Sequence, residues 1–105
     1  MSDFFKAVQQ AQEITGRLKS IQEKLEQLTL TGSAGGGLVS VDVDGRGNIR
    51  GIRIDPSVVR SDDVEMLEDL LVSAVSEAQR KASDAASAEM AGVTGGLQLP
   101  FKLPF

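Results

Sequence analysis

The feature that most constrains the fold is an apolar repeat near the start of the chain. Apolar residues recur at alternating intervals of three and four: Phe4, Ala7, Ala11, Ile14, Leu18, Ile21, Leu25 and Leu28. This spacing places them along one side of a single long α-helix over residues 1–28. Oppositely charged residues four positions apart support that helix around Gly16: Glu13 with Arg17, and Lys19 with Glu23.

The length of this helix is an argument for a dimer. At 1.5 Å per residue it is about 35 to 40 Å long, whereas a compact chain of this size is only about 26 Å across. Part of the helix must therefore project from the domain or pair with another chain.

The middle of the chain predicts a three-stranded antiparallel meander over residues 29–55. Thr29–Thr31 is a short alternating segment, and Gly32–Gly37 has the composition of a flexible loop. Leu38–Asp44 alternates between apolar and polar residues, and Ile49–Ile54 is the return strand after a turn. So thin a sheet needs a helix on one face and a partner's sheet as well.

A second helix is predicted over residues 62–91. Asp55-Pro56 stops the sheet, and Asp62 to Glu65 has the form of a capping box. The apolar face of the helix should pack on the sheet: Leu67, Leu70, Leu71, Ala74, Val75, Ala78 and Ala82.

Residues 92–105 form an apolar tail with two prolines, which predicts an extended segment. The whole chain is then one α+β domain, 1–105, in the order α-β-β-β-α.

Composition excludes several kinds of function. The chain has no cysteine and no histidine, which removes thiol nucleophiles, zinc fingers and the commonest general base and metal ligand. No cofactor, metal or small-molecule substrate is indicated, and we expect a protein that is not an enzyme. It has no apolar run long enough to cross a membrane and no signal-peptide pattern at its start, so we expect a cytoplasmic location with no membrane partner.

The net charge of −4 argues against binding a polyanion, but the charge is unevenly distributed. Residues 1–60 sum to +1 and residues 61–105 to −5.

Within the second half, the block Asp62–Asp69 lacks the oxygen-ligand spacing of a calcium loop, so a solvated helix start explains it better. The loop Gly32–Gly37 lacks the Gly-Lys-Ser/Thr ending of a phosphate loop and leads into a strand.

The order of elements and several local strings resemble the YbaB/EbfC family of nucleoid-associated proteins. The resemblance covers essentially the whole chain and is carried by Gln9-Gln10-Ala11-Gln12, Thr31-Gly32, Leu38-Val39, Ile54-Asp55-Pro56-Ser57, Met66 to Leu70, Leu97-Gln98-Leu99-Pro100 and Pro104-Phe105. It implies a homodimer built through the sheets, with the first helices projecting like the arms of tweezers. It also implies a nucleoid location and binding of double-stranded DNA with little sequence preference. A partner among replication or recombination proteins stays open.

Candidate site residues follow from the need to neutralise phosphates with Lys or Arg. On the first helix these are Lys6, Arg17, Lys19 and Lys24, and on the second Arg80 and Lys81. The simpler interpretation, ordinary solvated charges beside a dimer seam, stays open, and Arg50 and Arg53 are better explained by pairing with Asp42 and Asp44 across the hairpin. The dimerisation candidates are Val39, Val41, Val43, Ile52 and Ile54.

An alternative function is a dimeric adaptor for replication or recombination proteins, with weak or no DNA binding. The acidic total supports it, because two copies carry −8.

Overall fold

The computed structural model describes residues 2–94, which form two helices and one antiparallel sheet. In chain order the elements are helix α1 (Ser2–Gln27), strands β1 (Leu30–Ala34), β2 (Val39–Val43) and β3 (Ile49–Ile54), a 3-10 turn (Pro56–Val58) and helix α2 (Val64–Thr94). The strands lie in the order β1-β2-β3, with β2 in the centre. The predicted α+β class and the α-β-β-β-α order are confirmed.

One face of the sheet carries the core. The side chains of Val39, Val41 and Val43 on β2 are fully buried on that face. Their partners on β1, in the same order, are Ala34, Gly32 and Leu30. The alternation of valine with polar residues along β2 therefore corresponds to one buried and one solvent-facing side, as period-two patterning requires.

Helix α2 covers this face over β1 and β2 with a stripe of alanines. Ala74, Ala78 and Ala82 lie four residues apart and are buried. A Cβ added to Gly32 would lie 2.3 Å from the backbone of both Ala74 and Ala78. Larger, half-buried side chains extend the core around this stripe: Met66, Leu67, Leu70, Leu71 and Val75. Small residues on both elements thus let the backbones of helix and strand pack directly together.

The turn between β2 and β3 is organised by Asp44, whose side chain is buried. Its carboxylate accepts hydrogen bonds from the backbone N–H groups of Arg46 (2.8 Å) and Asn48 (3.1 Å) and from the guanidinium of Arg50 (3.0 Å). Burial by itself raises the pKa of Asp44, but the hydrogen bonds from Asn48, Arg46 and Arg50 together outweigh it and hold the pKa below its ordinary value. The charged carboxylate therefore fixes the turn.

This turn also anchors the end of α1. The backbone N–H of Gly45 donates to the carbonyl of Leu25 at 2.8 Å, so close that a Cβ on Gly45 would lie 2.7 Å from the same oxygen. Arg46 pairs with Glu26 at 2.6 Å. Leu25 and Ile21 are buried in a second apolar cluster, to which Leu28, Ala86 and Met90 contribute.

The remainder of α1 projects from the molecule. We call residues 3–20 the arm and residues 21–94 the body. Every arm residue is exposed except the half-buried Ile14, and Phe4 and Phe5 are 68% and 64% exposed. The described chain extends over 72 × 24 × 17 Å with a radius of gyration of 19.6 Å, against about 13 Å for a compact chain of this length. The projection that the helix length predicts is therefore present in a single chain.

Two local predictions at the ends of elements were wrong. Residues 32–34 belong to strand β1 and not to a flexible loop. A glycine stands in the strand at position 32 because α2 approaches the sheet there and leaves no room for a Cβ. The carboxylate of Asp63, and not that of Asp62, caps α2 by accepting the N–H of Met66 at 3.2 Å. Asp62 instead pairs with Arg60 at 2.8 Å.

Helix α2 also ends later than the sequence predicts. It continues through Gly92 to Thr94; a glycine costs a helix only about 1 kcal/mol relative to alanine. The rest of the predicted extended tail, residues 95–105, lies outside the described residues. Neither helix of residues 2–94 is long and apolar enough to cross a membrane.

Candidate nucleic-acid interface

The arm carries cations that have no partner in the described chain. Lys6, Arg17 and Lys19 are exposed, and none of the three forms an ion pair within residues 2–94. The predicted pairs of Arg17 with Glu13 and of Lys19 with Glu23 do not form. Because these cations are not neutralised locally, they are the part of the surface best suited to accept an external anion.

Arg17 and Lys24 share one surface, as their spacing of seven residues predicts. Both line a shallow groove of about 680 Å³ between α1 and the last turns of α2, together with Gly16, Ser20, Ile21, Glu13 and Glu89. A separation of seven residues places their Cα atoms about 10 Å apart along the helix. The groove is therefore of mixed charge, with two cations and two carboxylates at its edges.

Two of the predicted binding lysines already have partners. The ammonium of Lys24 pairs with the carboxylate of Glu89 on α2 at 2.8 Å. Lys81 donates to the carbonyl of Thr31 on β1 at 2.8 Å and pairs with Glu77 at 3.2 Å. Its neighbour Arg80 is exposed and forms no ion pair within residues 2–94. The six predicted residues thus divide into four available cations and two engaged lysines.

The arginines of the sheet region behave differently from those of the arm. Each forms an ion pair with a carboxylate: Arg46 with Glu26, Arg50 with Asp44, Arg53 with Asp42, and Arg60 with Asp62. The hydrogen bonds from Arg53 and from the hydroxyl of Thr31 lower the pKa of Asp42. The prediction that Arg50 and Arg53 pair across the hairpin is confirmed, and these four arginines have structural partners.

The predicted dimerisation residues fall into two groups, and one of them requires a correction. Val39, Val41 and Val43 have no exposed surface, because α2 of the same chain covers them, so they cannot contact a second copy directly. Ile52 and Ile54 on β3 are 48% and 37% exposed. They lie opposite Val41 and Val39, on the face that α2 covers only over β1 and β2.

Sequence reasoning missed Ile49, which is 47% exposed on the same strand. Strict alternation places Ile49, three residues before Ile52, on the other face, but an irregularity in the pairing of β2 with β3 brings it opposite Val43 on the apolar face. However, only the placement of α2 over β1 and β2 shows that β3 is the strand left uncovered. Strand β3 is also an edge of the sheet, so it combines open backbone groups with an apolar strip.

No group of side chains in residues 2–94 has the composition to hold a metal ion. The glycines at 35, 36 and 37 all have positive φ and form a tight connection between β1 and β2. Because that connection leads from strand to strand and not into a helix, it does not have the form of a phosphate loop.

The fold defines a class of small α+β proteins in which a long helix projects from a helix-covered, three-stranded sheet. The chain belongs to the YbaB/EbfC DNA-binding family, whose family model matches residues 1–97. A relative described as a nucleoid-associated protein, from Gemmatimonas aurantiaca, is 52% identical over 103 residues, which cover 98% of this chain and 99% of that protein. Another of the same description, from Nitrobacter winogradskyi, is 42% identical over 105 residues, covering 100% of this chain and 99% of the relative.

The fold is also similar to a solved one. The crystal structure of an uncharacterized protein from Helicobacter pylori matches with a TM-score of 0.81 at 23% identity, covering 88% of this chain and 97% of the other. This likeness supports the architecture described above.

Proposed function

We propose that the protein is a nucleoid-associated protein that binds double-stranded DNA as a homodimer, with little sequence preference. The observation that carries this proposal is the contrast between the cations of the arm and the arginines of the sheet region. Lys6, Arg17 and Lys19 are exposed and have no ion pair within residues 2–94, whereas every arginine of the sheet region is paired. Membership of a DNA-binding family supports phosphate as the anion that these cations meet.

Contacts with phosphate explain the expected lack of sequence preference. Lys and Arg side chains that contact the DNA backbone position a protein without reading bases. The arm, with Arg80 as a further available cation, supplies such contacts, whereas at Lys24 and Lys81 a phosphate competes with the present partners of each lysine. The acidic total of the chain is no obstacle, because screening limits the repulsion of distant charges to about 10 Å at 0.1 M salt.

The homodimer is supported by the uncovered strip on β3. Ile49, Ile52 and Ile54 are each more than a third exposed on the apolar side of an edge strand. Apolar side chains at such an edge favour pairing with a second copy, which would bury them. Two copies would present two arms, and two arms with modest individual affinity hold one DNA molecule more tightly than either arm alone.

The names of the relatives support a location on the nucleoid. We propose a role there in nucleoid organisation, gene expression or repair.

The test is a fluorescence-anisotropy titration of a labelled duplex of arbitrary sequence at several salt concentrations, with the mass of the free protein measured by sedimentation equilibrium in the same buffer. We expect a dimeric mass and saturable binding. The logarithm of the affinity should fall linearly with the logarithm of salt concentration, with a slope near −0.9 per phosphate contact. A second duplex of unrelated sequence should bind equally well. No binding even at low salt would contradict the proposal and favour the adaptor.

A further inference from the structure

Within residues 2–94, Lys24 is the one cation of α1 that forms an ion pair with α2. Its ammonium lies 2.8 Å from the carboxylate of Glu89, and the side chains are 61% and 28% exposed. The two residues are 65 positions apart in the sequence. They meet because Ile21 and Leu25 on α1 pack in one cluster with Ala86 and Met90 on α2. The fold itself therefore places a carboxylate on this lysine.

A carboxylate on a lysine occupies the position that a phosphate would take. Both groups present anionic oxygens that accept charge-assisted hydrogen bonds from an ammonium. Arg17, on the same groove, has no such partner in residues 2–94. DNA can therefore contact Arg17 without competition, whereas at Lys24 a phosphate competes with Glu89 for the charge of the ammonium.

We propose that Glu89 acts as an internal competitor for Lys24, lowering both the affinity for DNA and the number of phosphates that each protomer contacts. The proposal rests on the proposed function, because it names a residue that limits the strength of that binding. Glu89 itself touches no phosphate; it acts through Lys24. Its removal should therefore strengthen binding, in contrast to the loss expected from changes to the binding cations.

The test compares Glu89→Gln with Glu23→Gln in the same anisotropy titration. The two substitutions remove the same charge, but Glu23 is an exposed residue of α1 that forms no ion pair within residues 2–94. Because an exposed ion pair is weak, we expect Glu89→Gln to tighten binding by about two- to five-fold. The salt slope should steepen by up to about 0.9 per protomer. Glu23→Gln should produce a smaller gain with no change in slope.

A second measurement shows whether Glu89 acts through Lys24. In a protein that already carries Lys24→Ala, the further change Glu89→Gln should add no more than Glu23→Gln adds. Lys24→Ala should also weaken binding more in the Glu89→Gln background than in the wild type. This non-additivity is the signature of a direct pair, and a general effect of net charge would not produce it.

The outcomes separate this inference from the proposed function. If the wild type binds DNA and Glu89→Gln matches Glu23→Gln, the inference is wrong and the function stands. If Glu89→Gln tightens binding equally with and without Lys24, the inference is also wrong. If neither the wild type nor Glu89→Gln binds at low salt, the proposed function fails and this inference fails with it.

Discussion

The body and the arm use the same kinds of side chain in opposite ways. In the body, β2 valines are fully buried and the arginines of the sheet region all have carboxylate partners. In the arm, Phe4 and Phe5 are about two-thirds exposed, and three cations have no ion pair within residues 2–94. The body therefore determines the fold, whereas the arm holds charge and apolar surface that only another molecule can use.

Glycine shows the contrast most sharply, because Gly32 of the body and Gly16 of the arm both lie in regular elements. At Gly32 there is no room for a Cβ, whereas nothing lies within 4 Å of a Cβ at Gly16. The same substitution by alanine should consequently have opposite signs in the two regions.

The largest effect is expected from Gly32→Ala. Its Cβ would meet the backbone of α2 at 2.3 Å, and a helix backbone cannot move aside as a flexible side chain can. We expect the free energy of unfolding to fall by about 3 kcal/mol or more, at the upper end of overpacking effects. Urea denaturation measures it. Gly51→Ala is the matched control, since it also lies in a strand but has nothing within 4 Å; equal losses for both variants would contradict this account of the body.

A smaller, pH-dependent effect is expected from Asp44→Asn. The folded state lowers the pKa of Asp44 below the ordinary value of 3.8. The stability that its charge contributes is therefore present above that value and is lost as the pH falls through the folded pKa. We expect the variant to melt several degrees lower at neutral pH, and the difference from the wild type to shrink as the pH falls below 3.8.

Thermal melting between pH 2 and 7, measured by circular dichroism, tests this prediction. Asp62→Asn is the control, because Asp62 forms only an exposed ion pair with Arg60 and should change little. A difference between wild type and Asp44→Asn that stays constant with pH would show that the carboxylate charge does not stabilise the turn.

The smallest effect is expected from Gly16→Ala in the arm. Alanine is favoured over glycine in a helix by about 1 kcal/mol, and here it meets no neighbour. Amide hydrogen exchange around residue 16 should slow by about five-fold. Exchange in α2 should not change, because the arm makes little contact with the body. Faster exchange around residue 16 would mean that the arm is packed against something that alanine disturbs.

Much of the fold could be predicted because periodicity reports burial directly. The spacing of Ala74, Ala78 and Ala82 and the alternation along β2 both identified buried faces correctly. The pairs of Arg50 with Asp44 and Arg53 with Asp42 could be predicted too, since a hairpin brings nearby residues together. The family followed from the joint order of short strings along the whole chain.

What could not be predicted depends on contacts between distant parts of the chain. Alternation shows that Val41 and Ile52 each lie on an apolar face, but not that α2 covers the first and leaves the second open. Gly32 belongs to a glycine-rich segment with the composition of a loop, and only the close approach of α2 explains why it lies in a strand. The pairing of Lys24 with Glu89 likewise needs the packing of two helices that the sequence does not place side by side.

The affinity of the Arg17→Ala/Lys24→Ala double variant, measured by fluorescence anisotropy at several salt concentrations, tests whether DNA binds to the cations of α1: Arg17 in the arm and Lys24 just beyond it. We predict binding about ten-fold weaker or more, equally on duplexes of unrelated sequence, with the salt slope flatter by about one to two phosphate contacts per protomer. Arg60→Ala, which removes a paired arginine of the body, should bind like the wild type. Unchanged affinity and slope in the double variant would contradict the assignment of DNA binding to the cations of α1.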